Sequence, residues 1–303
     1  MSTRQFGARV KRNADPELLR GEGCFTDDIP LHGALHAAFV RSPFARAKIL
    51  EIDVTEAVEL EGVIAVYTCD DIGHLDQELP LLIPHDCMTD ARTARPLARD
   101  DVYYVGQPVV MVVAINRYIA EDALLLIDID YDPLEVEMGL EAAAMDGAPL
   151  VHDTHPNNVA ADFTQISGDP SAAMQDADHV TRITVRVDRS TASALEARAV
   201  AAQFDHVSGQ LTVWDGTQAP LAVRGGIASL FGLDEDKVRV IAPNVGGGFG
   251  QKIMFPHSDE VLVPLAAMTL GRPVKYIEDR RENFIGSNQE RTQIHHMELF
   301  AKK

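Results

Sequence analysis

The sequence contains few cysteines, no long apolar run and little positive charge. Its three cysteines, Cys24, Cys69 and Cys87, lie far apart, and no CxxC pair occurs. An odd, scattered set argues against a disulfide framework and against a cysteine-rich zinc or iron–sulfur site. No apolar run approaches the ~18 residues of a membrane helix, and the basic segment Met1–Arg12 has no apolar signal core. The chain is therefore expected to be cytoplasmic, with reduced thiols and no membrane insertion.

The scarcity of basic residues limits the classes of partner. The chain carries 27 Lys and Arg against 46 Asp and Glu, which gives a net charge of −19. Nonspecific nucleic-acid binding depends on clustered basic side chains, so no nucleic-acid partner is predicted. Apolar residues make up 46% of the 303 residues and charged residues 24%, as in a folded globular protein of up to two domains.

The first half of the chain predicts one α/β unit. Alternating or β-rich runs predict strands, and a 3.6-residue apolar period after the capping residue Asn116 predicts a helix. Residues 70–100 are irregular and indicate a long loop. The predicted elements are strands at Leu35–Val40, Ala47–Asp53, Glu61–Tyr67, Val109–Ala114 and Ile127–Tyr131, and a helix from Arg117 to about Leu125.

The second half has a different rhythm. Glycine, proline and asparagine are dense in residues 146–170, which predicts a linker between residues 1–145 and residues 171–303. Three alternating runs then predict neighbouring strands of one sheet, and later segments predict helices and a further strand. The runs are His179–Asp188, Ala197–Asp205 and Gln210–Trp214. They are followed by a helix from Gln218 to Leu230 with Gly232 as its C′ residue, a strand Lys237–Ile241 and a helix from its cap Ser258 to Leu270. The order of elements predicts an α+β fold.

A glycine-rich loop follows the strand Lys237–Ile241. Residues 242–252 read APNVGGGFGQK, so four glycines surround Phe249. The loop is not a Walker motif, because Gln251 separates the last glycine from Lys252, and its glycine spacing differs from the dinucleotide fingerprint. Successive amides of Gly247–Gly250 are suited to an oxo or anionic ligand. A tight turn without a ligand remains the alternative.

Other polar residues give weaker signals. Gln218 follows a predicted strand and is placed to face a ligand, although a helix-capping segment with an exposed amide explains it as well. Glu196 is the best candidate for a buried acid, and the expected partner is a nearby arginine such as Arg198. Two histidine pairs are interpreted as surface residues rather than metal ligands: His152 with His155, and His295 with His296.

Six segments taken together resemble a known family. They are YYVGQPVVMVVA, IDIDYDPLEVE, SALEARAVAAQFD, LTVWDGTQAP, KVRVIAPNVGGGFGQK and GRPVKYIEDRRENF. In this order they resemble the molybdenum-binding subunit of the molybdenum hydroxylases, the family of xanthine dehydrogenase, aldehyde oxidase and aerobic carbon monoxide dehydrogenase. The resemblance extends from about Phe6 to Lys303. It implies an α/β hammerhead domain over residues 1–145 and the first part of a molybdopterin-binding domain over residues 171–303.

The resemblance also implies a cofactor and its site. The cofactor is molybdenum–molybdopterin, expected in the cytosine dinucleotide form, with [2Fe–2S] and FAD on partner subunits. Gln218 is implied to hydrogen-bond the oxo ligand, and Phe249 to form a wall, with Gly247, Gly248 and Gly250 close to the metal. The catalytic glutamate of the family is expected outside this chain, so no catalytic residue and no direct metal ligand are assigned. Ile253 stands where purine-oxidising members carry glutamate.

Three functions remain open from the sequence. The chain is either a partial or split subunit that works with a second chain carrying the remaining molybdopterin-binding region, or a truncated or noncatalytic assembly module that binds partner subunits. The first interpretation implies water-derived hydroxylation of an aldehyde, N-heterocycle or similar small molecule. An independent nucleotide-binding enzyme is the third, and it depends on the glycine loop alone.

Overall fold

A computed structural model describes residues 7–81, 83–88, 92–253 and 256–303. Residues 1–6, which form half of the basic N-terminal segment, lie outside the described residues. The strands are β1 Leu35–Arg41, β2 Ala47–Asp53, β3 Val63–Tyr67, β4 Asp101–Val102, β5 Pro108–Ala114, β6 Asp128–Pro133, β7 His179–Thr191, β8 Ala199–Asp205, β9 Gln210–Asp215, β10 Val238–Ile241, β11 Val274–Ile277 and β12 Gln289–Ala301. The helices are α1 Asp15–Leu19, α2 Thr55–Glu59, α3 Arg117–Leu124, α4 Leu140–Ala143, α5 Pro170–Gln175, α6 Pro220–Phe231, α7 Ser258–Leu270 and α8 Arg280–Gly286.

A seven-stranded sheet joins the two halves of the chain. Its strand order is β10-β9-β8-β11-β1-β5-β3, so three strands come from the first half and four from the second. The junction is the parallel pair of β1 and β11, with Leu35 opposite Val274. A three-stranded sheet, β4-β2-β6, is formed by the first half alone. The predicted α+β class is confirmed, whereas the division near residue 145 stays a prediction.

Strand β5 lies at the centre of the core. All seven of its residues are buried, because the sheet is covered on both faces. Met111 and Val113 belong to the large apolar cluster beneath α6 and α7. Val112, which points the other way, packs with Ala57 of α2 and Ala123 of α3. Burial on both faces explains why the sequence reads as a continuous apolar run rather than an alternating one.

The predicted ends of two helices are confirmed. The side chain of Asn116 accepts a hydrogen bond from the amide of Ile119 at 2.9 Å, which caps α3. Gly232 ends α6 with φ of 62°, in the left-handed region that glycine adopts without a steric penalty. The start of α7 differs from the prediction. Its N-cap is His257 rather than Ser258, because the amide of His257 donates to Glu260 Oε2 at 2.7 Å.

The prediction that β7, β8 and β9 are neighbouring strands of one sheet is wrong for β7. β8 and β9 are antiparallel neighbours in the large sheet, whereas β7 pairs with β12 in a separate two-stranded ribbon. Alternation indicates that a segment is extended, but it does not identify the strand with which the segment pairs. No helix in the described residues has the length and apolar character needed to cross a lipid bilayer.

Gly106 lies in close contact with the backbone of Ile285, and a substitution there tests how much this close packing contributes to stability. It has φ of +94°, and a Cβ there would lie 2.5 Å from both the carbonyl carbon and the oxygen of Ile285. We expect Gly106→Ala to lower the free energy of unfolding by about 3 kcal/mol or more, because backbone must move to admit the methyl group. Urea or thermal unfolding measures the change.

The matched control is Gly209→Ala. Gly209 also has a positive φ, of +68°, but a Cβ there meets no atom within 4 Å. This variant should lose only the conformational cost of about 1 kcal/mol. Equal losses at the two positions would show that the contact with Ile285 carries no weight.

Candidate functional site

Two loops meet at one edge of the large sheet. Strands β9 and β10 are parallel neighbours connected by α6, so their carboxyl ends lie side by side. β9 leads into Gly216, Thr217 and Gln218, and β10 leads into the glycine loop of residues 242–252. Crevices at the carboxyl ends of parallel strands are common ligand sites in α/β sheets. The structure thus brings Gln218 together with the glycine loop, although 28 residues separate Gln218 from Gly246.

Hydrogen bonds fix the orientation of Gln218. The amide of Gly250 donates to Gln218 Oε1 at 3.0 Å, and the amide of Gln218 donates to the carbonyl oxygen of Lys252 at 2.9 Å. Because Oε1 is engaged, the group that remains for a ligand is the Nε2 amide, a donor. Nε2 has no acceptor in the part of the chain that the structure describes.

Glycine is required where Gln218 crosses the loop. A Cβ on Gly248 would lie 2.3 Å from Gln218 Oε1 and 2.5 Å from its Cδ. Gly247 has φ of +100°, and a Cβ there would lie 2.9 Å from a ring carbon of Phe249. Two of the predicted site glycines are therefore explained by close approach and by backbone conformation.

Three successive amides of the loop are unpaired. The N–H groups of Gly247, Gly248 and Phe249 donate to no protein acceptor within the described ranges, whereas the amide of Gly250 is engaged by Gln218. The Gly250 amide, for which a ligand contact is also predicted, donates to Gln218 Oε1 in the structure. Unpaired successive amides form an anion-binding concavity. Together with Gln218 Nε2 they are suited to an oxo or other anionic group.

Phe249 holds a strained and exposed position. Its φ is 51°, a left-handed conformation that costs a non-glycine residue roughly 1–2 kcal/mol. Its side chain is 71% exposed, so no core packing compensates for this cost. Strain of this kind gathers at functional sites, which agrees with the predicted role of Phe249 as a wall.

An ion pair lies under the loop. Lys252 is buried, and its Nζ donates to Glu196 Oε2 at 2.7 Å. The same oxygen accepts from the amide of Gly246 at 2.8 Å. The expected pairing of Glu196 with Arg198 is wrong, because Arg198 points into the core and pairs with Asp259 at 2.5 Å.

A buried acidic cluster surrounds Arg198, and the sequence analysis missed it. Asp215, Asp259, Glu260 and Glu278 are all nearly inaccessible to solvent. Burial, followed by the charge of Asp259, raises the pKa of Asp215 to about 7. Burial, followed by the charges of Asp215 and Asp259, holds the pKa of Glu260 well above its usual value. Asp259 and Glu260 lie in the first turn of α7, where the helix dipole favours acidic residues even at the surface, so the residue pattern there does not indicate burial.

The histidine pairs show no metal-binding arrangement. On β12, His295 contacts Gln293 and His296 contacts Thr184, and adjacent strand residues point to opposite faces. The rings of His152 and His155 lie 5.2 Å apart in the segment after β6, which is not helical there. Across residues 7–81, 83–88, 92–253 and 256–303, no group of three or more His, Cys, Asp or Glu side chains is arranged to hold a metal ion.

Two family models match the chain. Residues 151–303 match the molybdopterin cofactor-binding domain, and residues 20–135 match the aldehyde oxidase and xanthine dehydrogenase a/b hammerhead domain. The chain belongs to the molybdenum hydroxylase family. The hammerhead segment and the cofactor-binding segment occur in the predicted order, and the family match supports a molybdenum–molybdopterin cofactor.

Individual relatives support this family assignment. The chain is 38% identical to the nicotine 6-hydroxylase large subunit of Paenarthrobacter nicotinovorans, over 95% of this chain and 35% of that protein. It is 34% identical to the carbon monoxide dehydrogenase large chain of Afipia carboxidovorans, over 98% of this chain and 38% of that protein. Quinoline 2-oxidoreductase from Pseudomonas putida 86 superposes with a TM-score of 0.87 at 36% identity, over 96% of this chain and 37% of that chain. The chain thus spans somewhat more than a third of the length of these relatives.

The residues of the site fit part of such a cofactor. The three unpaired amides and Gln218 Nε2 are all donors, as an oxo group requires. The bare surface of Gly247 and Gly248 leaves room for a large group to approach the backbone.

Proposed function

We propose that this chain is a partial or split molybdenum-cofactor-binding subunit of a hydroxylase. The enzyme would oxidise an aldehyde, an N-heterocycle or a similar small molecule with oxygen derived from water. The observation that carries the proposal is the set of unpaired amides of Gly247, Gly248 and Phe249 beside Gln218 Nε2. In a protein of this family, such a row of donors at the carboxyl ends of parallel strands supports contact with the oxo group of the cofactor.

The chain's own residues would hold and orient the cofactor, while the bound cofactor would supply the two-electron oxidation chemistry. Gln218 Nε2 would donate a hydrogen bond to an oxo group of the bound cofactor, and the loop amides would hold an anionic part of it. Phe249 would shield one side of the site from water. Glu196, the carboxylate under the loop, is paired with Lys252 and is not proposed as the base. A glutamate from a second chain is therefore part of the proposal.

The proposed partners follow from the length and names of the relatives. The chain spans 35% of the nicotine 6-hydroxylase large subunit and 38% of the carbon monoxide dehydrogenase large chain. We propose a companion chain with the remaining molybdopterin-binding region, together with a [2Fe–2S] subunit and an FAD subunit. The cytosine dinucleotide form of the cofactor is proposed with them. Ile253, where purine-oxidising members carry glutamate, favours a substrate other than a purine, and two relatives are named for N-heterocycles.

The test is the molybdenum content of the complex that co-purifies with the chain from its native source. We expect close to one molybdenum atom per chain. A matched pair of variants assigns the metal to this site. Gly248→Ala pushes Gln218 away from the loop and should lower substrate-dependent dye reduction about 10- to 100-fold. Gly209→Ala, at a position far from the loop in sequence where an added Cβ meets no atom within 4 Å, should leave dye reduction unchanged.

Two outcomes would contradict the proposal. A complex that contains every co-purifying partner and no molybdenum would favour a noncatalytic assembly module. A complex that contains molybdenum but responds equally to the two glycine variants would place the cofactor away from Gly248. Binding of ATP or NAD in calorimetry would favour the nucleotide-binding alternative.

A further inference from the structure

The glycine loop is unable to set its own conformation. Between Gly246 and Gly250 the only side chain is that of Phe249, which faces solvent. Glycine residues lose more backbone entropy on ordering than any others. Contacts from outside the loop must therefore hold it in the form that leaves three amides unpaired.

One carboxylate contacts the glycine loop on both sides of its glycines. Glu196 Oε2 accepts from the amide of Gly246, the first of the four glycines, at 2.8 Å and from Nζ of Lys252, the last residue of the loop, at 2.7 Å. The amide of Glu196 also donates to the carbonyl oxygen of Gly246 at 3.2 Å. A single oxygen thus fixes the separation between Gly246 and Lys252, which are six residues apart.

The link extends to Gln218. The carbonyl oxygen of Lys252 accepts from the amide of Gln218 at 2.9 Å and from the hydroxyl of Thr217 at 3.0 Å. A contact that fixes the position of Lys252 therefore also fixes the position of the Gln218 backbone. Glu196 acts on both halves of the proposed site, through Gly246 on one side and through Lys252 on the other.

The segment that carries Glu196 is itself held firmly. Arg280 Nη2 donates to the carbonyl oxygens of Ala194 at 2.5 Å and of Leu195 at 2.9 Å. Ser193, just before them, has φ of 46°. A left-handed serine and two carbonyls bound to one guanidinium indicate a backbone with a single conformation. Glu196 is therefore a fixed point against which the glycine loop is ordered.

We propose that Glu196 is a positioning residue for the glycine loop and for Gln218. It acts as a hydrogen-bond acceptor for Gly246 and as the counter-ion of Lys252, and it does not touch the reacting atoms. The proposal deepens the proposed function, because the loop it orders is the proposed cofactor site. Its central claim, that the loop is ordered through Glu196, concerns the protein alone.

Two double variants distinguish the role of Glu196 as hydrogen-bond acceptor from its role as counter-ion of Lys252. Glu196→Gln with Lys252→Met removes both charges and keeps an oxygen that reaches the amide of Gly246. Glu196→Met with Lys252→Met removes both charges and the acceptor as well. Neither variant leaves a buried charge without a partner, which would by itself destabilise the fold.

Amide hydrogen exchange of Gly250 and Gln251 in the full chain is the measurement. Their acceptors, Gln218 Oε1 and the carbonyl oxygen of Gly248, are unchanged in both variants, so their protection reports the order of the whole loop. We expect exchange within about twofold of the unmodified chain for the glutamine variant. For the methionine variant we expect at least tenfold faster exchange, which corresponds to a decrease of ~1.4 kcal/mol in the free energy of local opening.

Every other result overturns the proposal. If the two amides stay equally protected from exchange in both variants, Glu196 does not order the loop. If both variants lose protection equally, the ion pair alone orders the loop and the hydrogen bond to Gly246 does not. If the methionine variant fails to fold, Glu196→Asn with Lys252→Met replaces it. Its amide is one methylene too short to reach Gly246, and it must show the fast exchange. An absence of molybdenum in the native complex would sink the proposed function and leave the exchange result intact.

Discussion

Arg198→Met should lower the free energy of unfolding by roughly 3–5 kcal/mol, because it leaves two buried carboxylates without their counter-ion. Arg198 lies 2.5 Å from Asp259 and 3.6 Å from Glu278, and its amide donates to Glu278 Oε2 at 3.0 Å. All three side chains are nearly inaccessible to water. Chemical denaturation at pH 8 measures the loss.

The pH dependence of this variant identifies the cause. Burial raises the pKa of Asp259, and the charge of Arg198 opposes that rise. Without the arginine the pKa of Asp259 should rise further above its value in the unfolded chain, so the variant should regain more of its stability than the unmodified chain as the pH falls. Arg224→Met is the matched control, because Arg224 pairs with Glu235 at the surface, and at most about 1 kcal/mol should be lost there. Equal losses from the two variants would show that the buried pairs add no net stability.

Asp215→Asn should stabilise the protein at pH 8 by about 4 kcal/mol, the largest gain we expect from any single change. Burial, followed by the charge of Asp259, raises the pKa of Asp215 from 3.8 to about 7 in the folded chain. Between these values the folded chain binds a proton that the unfolded chain lacks, so stability falls as the pH rises from about 4 to about 7. Asparagine removes this ionisation and keeps the shape of the side chain.

The expected signature is a gain that depends on pH. The advantage of Asp215→Asn should be complete above about pH 7 and should shrink as the pH falls, until it disappears below about pH 4, where the carboxyl group becomes neutral in the unfolded chain as well. Asp146→Asn, at an exposed position, is the control and should leave the stability unchanged at both pH values. A constant gain across the range would contradict the titration of Asp215 and would point to packing instead.

Local signals in the sequence predicted most elements correctly. The cap at Asn116, the left-handed Gly232 and the apolar run of β5 each depend on residues within a few positions of one another. The pairing of strands is different in kind. Periodicity shows that β7 is extended, but its partner is β12, and nothing in the alternation of β7 distinguishes that strand from β8.

The candidate site shows the same contrast between local signals and contacts of distant residues. The missing side chains of Gly247 and Gly248 and the amide of Gln218 are visible in the sequence, and the structure brings them together. Two facts depend on contacts between distant residues: the capture of the Gly250 amide by Gln218, and the pairing of Glu196 with Lys252. Arg198 was the wrong partner because two residues of separation suggested proximity, whereas side-chain direction decided the pairing.

The parallel pair of β1 and β11 has a consequence for synthesis of the chain. Leu35 and Val274 face each other across 239 residues of sequence, so β1 must wait for its neighbour while the ribosome completes the intervening chain. At typical rates of about 5–20 residues per second this takes roughly 10–50 s. During that time the apolar β1 presents an open edge, a hazard for aggregation. The large sheet is therefore completed by a late folding step, which waits until β11 has been synthesised.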